Sequence, residues 1–109
     1  VSAEERRVTV RGTGRVVLPA YGLADAEHQV EKELAEAWPG CRVDVLDVAR
    51  TDDRARIVEE FALRYRVRGT VALAAPTPKE ARTAALRSLR ERFGGTRFAG
   101  VAWDVEEVA

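Results

Sequence analysis

The tetrapeptide Val-Arg-Gly-Thr is written twice in this chain, at residues 10–13 and again at residues 67–70, 57 positions later. Each copy leads into an apolar run, Val16-Val17-Leu18 in the first and Val71-Ala72-Leu73 in the second, and a helical pattern follows each time. Ala26, Val30, Leu34 and Trp38 match Ala81, Ala85, Leu89 and Phe93 at an offset of 55. Beyond the helices, Trp38-Pro39-Gly40-Cys41-Arg42-Val43 parallels Phe93-Gly94-Gly95-Thr96-Arg97-Phe98. Order, spacing and turn chemistry agree, so the chain reads as two strand-helix-strand units, residues about 1–54 and 55–109, within one domain. A length of 109 residues suits a single domain. A chain of this size buries roughly 65% of its unfolded surface, enough for a core without disulfides or a structural metal.

Period-two alternation marks the strands. In the third predicted strand, residues 57–73, the odd positions read Ile57, Glu59, Phe61, Leu63, Tyr65, Val67, Gly69, Val71 and Leu73, and the even positions in its middle read Arg64, Arg66, Arg68 and Thr70. The first strand sets Val8, Val10, Val16 and Leu18 against Arg7, Thr9, Arg11, Thr13 and Arg15. Gly12 and Gly69 fall on the apolar side, where a bulge or close helix packing is expected. Helix one, near residues 23–37, has a single apolar stripe at 23, 26, 30, 34 and 37. Helix two opens on Thr77-Pro78-Lys79-Glu80, with Thr77 as N-cap, Pro78 in the first turn and Glu80 completing a capping box. Pro39-Gly40 and Gly94-Gly95 end the helices. Strand two is expected over about 41–49, a turn at Thr51-Asp52-Asp53, and strand four over about 97–108.

The order β-α-β-β-α-β is similar to the ferredoxin-like, or split β-α-β, arrangement. That resemblance spans nearly the whole chain and implies an α+β fold, a four-stranded antiparallel sheet with two helices on one face. It also implies that the first and third strands are central. A fold of this kind hosts many unrelated functions, so activity has to be argued from residues.

Catalytic signals are sparse. Cys41 is the sole cysteine, which excludes an intrachain disulfide and favours a cytoplasmic setting. The longest apolar stretches are too short to span a bilayer, and the polar N-terminus has no signal-peptide core, so no membrane association is expected. His28 is the sole histidine, on the polar side of helix one, and no metal-ligand spacing or cofactor motif is present. Arg11-Gly12-Thr13-Gly14-Arg15 lacks the Walker pattern and precedes an apolar strand, where a phosphate loop precedes a helix. Asp52-Asp53 reads as turn chemistry, and Asp44, Asp47, Asp104 and Glu106 as guards on edge strands.

What stands out is charge placement at zero net charge. The 18 basic and 18 acidic side chains divide as eight and eleven in residues 1–54, and ten and seven in residues 55–109. Alternation puts Arg7, Arg11, Arg15, Arg64, Arg66 and Arg68 on the sheet face opposite the helices. Three uses compete: a solvated lattice of ion pairs with Asp44, Asp47 or Asp104, contact with another subunit, and binding of phosphates. RNA-recognition domains use the same face of a similar sheet but stack bases on aromatics, and here Phe61 and Tyr65 point to the core. Helix one exposes Asp25, Glu27, Glu31 and Glu36, and helix two Lys79, Arg82, Arg87 and Arg90. These complementary patches suit intrachain attraction or a protein partner. The expectation is a non-catalytic, cytoplasmic interaction or assembly module, homo-oligomeric, with a nucleic-acid or other polyanion-binding domain as the alternative.

Overall fold

The computed structural model describes residues 3–52, 54 and 56–109. Its elements are β1 (Glu4–Ala20), α1 (Leu23–Ala37), β2 (Arg42–Arg50), β3 (Glu59–Ala75), α2 (Pro78–Phe93) and β4 (Ala102–Val108). The strands form one antiparallel sheet in the order β2-β3-β1-β4, with β1 and β3 central. The architecture is α+β.

β1 and β3 are each 17 residues long and pair along their whole length, from Glu4 opposite Ala75 to Ala20 opposite Glu59. At about 3.4 Å per residue such a ladder runs nearly 60 Å, which accounts for a molecule 62 Å long and only 21 by 18 Å across. Helices of 15 and 16 residues span about 22–24 Å. Each therefore doubles back over only the half of the sheet next to its own strand. They meet the middle of the sheet with their C-terminal ends, where Trp38 packs edge-on against Trp103 at 5.8 Å and Phe93 lies 5.1 Å from the same indole.

The core follows the alternation. Val8, Val10, Val16 and Leu18 of β1 and Phe61, Leu63, Tyr65 and Val67 of β3 are buried, under the Ala26, Val30 and Leu34 stripe of α1 and the Ala81, Ala85, Leu89 and Phe93 stripe of α2. Gly12 and Gly69 make room for indoles, Trp103 of β4 over the first and Trp38 at the C-cap of α1 over the second, rather than for a bulge. A Cβ on Gly12 would lie 2.6 Å from the Trp103 ring, and one on Gly69 would lie 2.6 Å from Trp38. The register sets Val10 opposite Gly69 and Gly12 opposite Val67, so the two Val-Arg-Gly-Thr copies face each other about the Arg11–Arg68 pair.

Helix boundaries match the local chemistry. Glu80 N–H donates to the Thr77 hydroxyl at 3.2 Å, with Pro78 behind it. The turns after the helices use Gly40 at φ 85° and Gly95 at φ 78°, left-handed values that favour glycine. Strand limits moved more. β4 begins at Ala102, not near residue 97, because the chain first folds through turns that bury Phe98 edge-on against Tyr65 at 5.4 Å. β3 begins at Glu59, leaving Ile57 exposed rather than on the core side. Asp52 does serve the connection before it, accepting from Arg54 N–H at 2.9 Å; Asp53 lies outside the described residues.

Candidate interaction face

The register brings all six predicted arginines onto the face away from the helices, because each alternates with a core position. Arg11 sits opposite Arg68, Arg15 opposite Arg64, Thr13 opposite Arg66, and Arg7 opposite Ala72. Two like-charged cross-strand pairs at the centre of a sheet repel, and the edge strands supply the compensation. Arg11 Nη2 lies 3.3 Å from Asp104 Oδ2, and Arg68 Nε 3.1 Å from Glu106 Oε1, both acids on β4. On β2, Asp44 lies 3.6 Å from Arg66 and Asp47 lies 3.8 Å from Arg64. Asp44 also meets Arg42 at 3.9 Å, a seventh arginine on this face that alternation from β1 and β3 alone did not reveal. Among the described residues, Arg7 and Arg15 have no ion-pair partner.

A bulge on each edge strand makes this arrangement reachable. Val45 pairs with Tyr65 and Asp47 with Arg64, so Leu46 is the extra residue of β2. Without it Asp47 would fall on the helix side. Likewise Val105 pairs with Val10 and Glu107 with Thr9, so Glu106 is the extra residue of β4. A bulge shifts the side-chain phase by one. That shift keeps Val105 and Val108 toward the core, and keeps Asp104 and Glu107 on the open side. The hydrophobic pattern of the edge strands carries the signal, since Val45 and Val48 are three apart, as are Val105 and Val108.

All four pairs are exposed, and only Arg11–Asp104 and Arg68–Glu106 are close enough to hydrogen-bond. The guanidinium side chains keep about half their surface in water, at 43–57% for the four paired arginines. Pairs of this kind contribute about 0–1 kcal/mol each. Their effect is to neutralise the face rather than to hold the fold. The open positions of β1 and β3 carry arginine, threonine, alanine, valine, glutamate and proline but no aromatic ring, so bases have nothing to stack on here.

The remaining candidates are placed as follows. His28 is exposed on α1. Cys41 is half-buried, its Sγ donating to Leu34 O at 3.6 Å, and burial pushes its thiol pKa up, against a smaller lowering by a backbone hydrogen bond. Such a thiol is a poor nucleophile at neutral pH. The Gly12–Gly14 segment is continuous strand, with the Tyr65 ring over Gly14. The helices pack on the sheet rather than on each other. Their tie is Glu33 of α1, which pairs with Arg97 beyond α2 (Nε–Oε1 3.1 Å), and Arg92 reaches Ala37 O at 3.5 Å. The helix charges named from the sequence do not form the link. Among the described residues no group of three His, Cys, Asp or Glu side chains is arranged to hold a metal ion, and no helix is long and apolar enough to cross a membrane.

No protein-family model matches the sequence, and no curated protein does. Among solved structures, the whole chain aligns with 29% of a hydantoinase/carbamoylase family amidase from Burkholderia ambifaria, at 14% identity and a TM-score of 0.32. An aminopeptidase PepT from Bacillus cereus aligns over 30% of its length, at 15% identity and a TM-score of 0.32. A dinuclear metal-binding peptidase of the M20 family from Bacillus subtilis aligns over 25% of its length with 95% of this chain, at 18% identity and a TM-score of 0.30. This chain thus spans less than a third of each. Likeness of that degree assigns it neither a family nor an activity.

Proposed function

We propose that this chain is a non-catalytic assembly module that associates with copies of itself in the cytoplasm. We read its sheet as ferredoxin-like, built by duplication of one β-α-β half. The observation that carries the assembly reading is the uncovered sheet face, on which arginines of the central strands alternate with carboxylates of both edges. A face carrying both signs at near-neutral balance is complementary to itself under a two-fold axis. It offers a polyanion far less net charge than six arginines suggest. Sedimentation velocity at 1–100 µM tests the reading: a concentration-dependent dimer or higher species supports it, and a monomer throughout refutes it.

Polyanion binding stays as a second reading because Arg7 and Arg15 are unpaired among the described residues. Anisotropy of labelled mixed-sequence DNA and RNA at low and near-physiological salt decides it. Binding through these groups weakens linearly in log–log with salt. It is also lost when Arg7 and Arg15, together with Arg11, Arg64 and Arg66, become Glu.

A further inference from the structure

The sheet is unfinished along two stretches. β4 covers β1 only as far as Thr13, and β2 covers β3 only as far as Arg68. Residues 14–20 of β1 and 69–75 of β3 therefore have no neighbouring strand on their outer side among the described residues. Backbone direction shows what they present. Arg7 exchanges both main-chain hydrogen bonds with Ala109, at 3.0 and 2.8 Å. Odd residues of β1 thus turn outward toward β4, and even residues turn to β3. Val8 is opposite Val71, so odd residues of β3 turn to β1 and even ones turn outward. The bond from Thr51 N–H to Glu60 O agrees, since Glu60 is even and lies toward β2. The N–H and C=O groups of Thr70, Ala72 and Ala74 therefore point away from the sheet.

The two edges differ in protection. On β1, Arg15 places a charge at the edge, Pro19 has no N–H to offer, and its carbonyl is already taken by Gln29 Nε2 at 3.2 Å. Charge and proline are the usual guards against strand addition. On β3, residues 69–75 read Gly-Thr-Val-Ala-Leu-Ala-Ala, with no charge and no proline. Val71 and Leu73, on the core side of this stretch, pack against the core yet remain partly exposed, as side chains do where the next strand is missing. A groove of about 210 Å³, lined by Trp38, Pro39, Thr70, Val71, Ala72 and Arg92, runs beside the edge.

From this edge, whose own residues carry neither charge nor proline, we infer that residues 69–75 of β3 pair antiparallel with the same residues of a second copy, joining two four-stranded sheets into one. The inference rests on the reading that the chain associates with itself, and it places the contact at this edge rather than on the arginine face. The stretch is self-complementary about Ala72. A two-fold axis there sets Ala72 against its own counterpart, and sets Thr70 against Ala74 of the second copy. All three pairs consist of outward-turned residues, so each makes two main-chain hydrogen bonds. Val71 and Leu73 come side by side with their counterparts on the core face. The arginine faces of the two copies become one continuous surface.

The test uses the intact chain, its Ala72→Lys and Ala72→Glu variants, and their equimolar mixture, each examined by sedimentation velocity with circular dichroism as a control for folding. Ala72 is exposed on the open face, so neither side chain disturbs the core. The expected result is a wild-type dimer, a dissociation constant raised at least about tenfold in each variant by like charges at the axis, and recovery in the mixture. Protection of the Ala72 and Ala74 amides from hydrogen exchange, rising with protein concentration, is expected alongside. A wild-type dimer that both variants retain, with those amides unprotected, overturns the edge and leaves the assembly reading standing. A wild-type monomer at 100 µM overturns both.

Discussion

Replacing Gly69 with alanine tests how tightly the middle of the sheet is packed. A methyl at that position would lie 2.6 Å from Trp38 Cζ2 and 3.0 Å from Cε2 and Cη2. Carbon atoms in ordinary contact sit about 3.5–4.0 Å apart, so the indole has to retreat by about 1 Å. It has little room, since Trp38 is only 4% exposed and abuts Trp103, whose own ring fills the space above Gly12. Overpacking of this sort costs about 1–3 kcal/mol. The loss of glycine's freedom in the unfolded chain offsets about 0.4–1 kcal/mol of that. The net expectation is a destabilisation of about 1–2 kcal/mol. At roughly 4–8 °C per kcal/mol for a domain near this size, Tm falls by about 4–16 °C. Calorimetry or urea unfolding reads the change. The double variant Gly69→Ala/Trp38→Phe should recover part of it, because the smaller ring vacates the space, with a coupling of at least about 0.5 kcal/mol. A Gly69→Ala protein as stable as wild type, or strictly additive effects in the double variant, would show that the indole does not need the glycine.

Removing the Thr77 hydroxyl in Thr77→Ala leaves the Glu80 N–H without its acceptor and should cost about 1 kcal/mol in urea unfolding. Gly40→Ala forces a side chain into the left-handed region at φ 85° and should cost about 1–2 kcal/mol. Arg66→Gln, which breaks an exposed pair with Asp44, should change stability by less than about 1 kcal/mol, and a larger loss would mean the lattice holds the fold. Burial pushes the Tyr65 hydroxyl up to about 12 from its ordinary 10. Below pH 10 both folded and unfolded chains keep this proton; between pH 10 and 12 only the unfolded chain loses it, so stability falls as pH rises through that window. Tyr65→Phe should flatten that slope in unfolding measured from pH 9 to 12.

Much of the architecture was legible because its signals are local. Alternation in residues 8–18 and 61–67 assigns each side chain to a face without reference to any partner, so the six arginines and the buried row opposite them could be read directly. Thr77-Pro78 and the glycines at 40 and 95 act on their own few neighbours, and those helix ends were foreseen. What the sequence left undetermined depends on contacts made across the chain. A strand begins where a neighbour is present to bond with it, so Phe98 leaving for Tyr65 delays β4 to Ala102, and Ile57 stays outside β3. The one-residue slips at Leu46 and Glu106 show in the sequence only as the three-residue spacings Val45–Val48 and Val105–Val108, and which arginines their neighbouring acids meet is set by pairing with another strand. Gly12 and Gly69 carry no sign of which ring will occupy their space; indoles arriving from 91 residues ahead of one and 31 behind the other supply it. Sequence by itself determined which face each central side chain takes, since that is a property of a single extended chain. Tertiary structure alone decided how far each edge strand reaches, and so left residues 69–75 of β3 without a neighbouring strand on their outer side among the described residues.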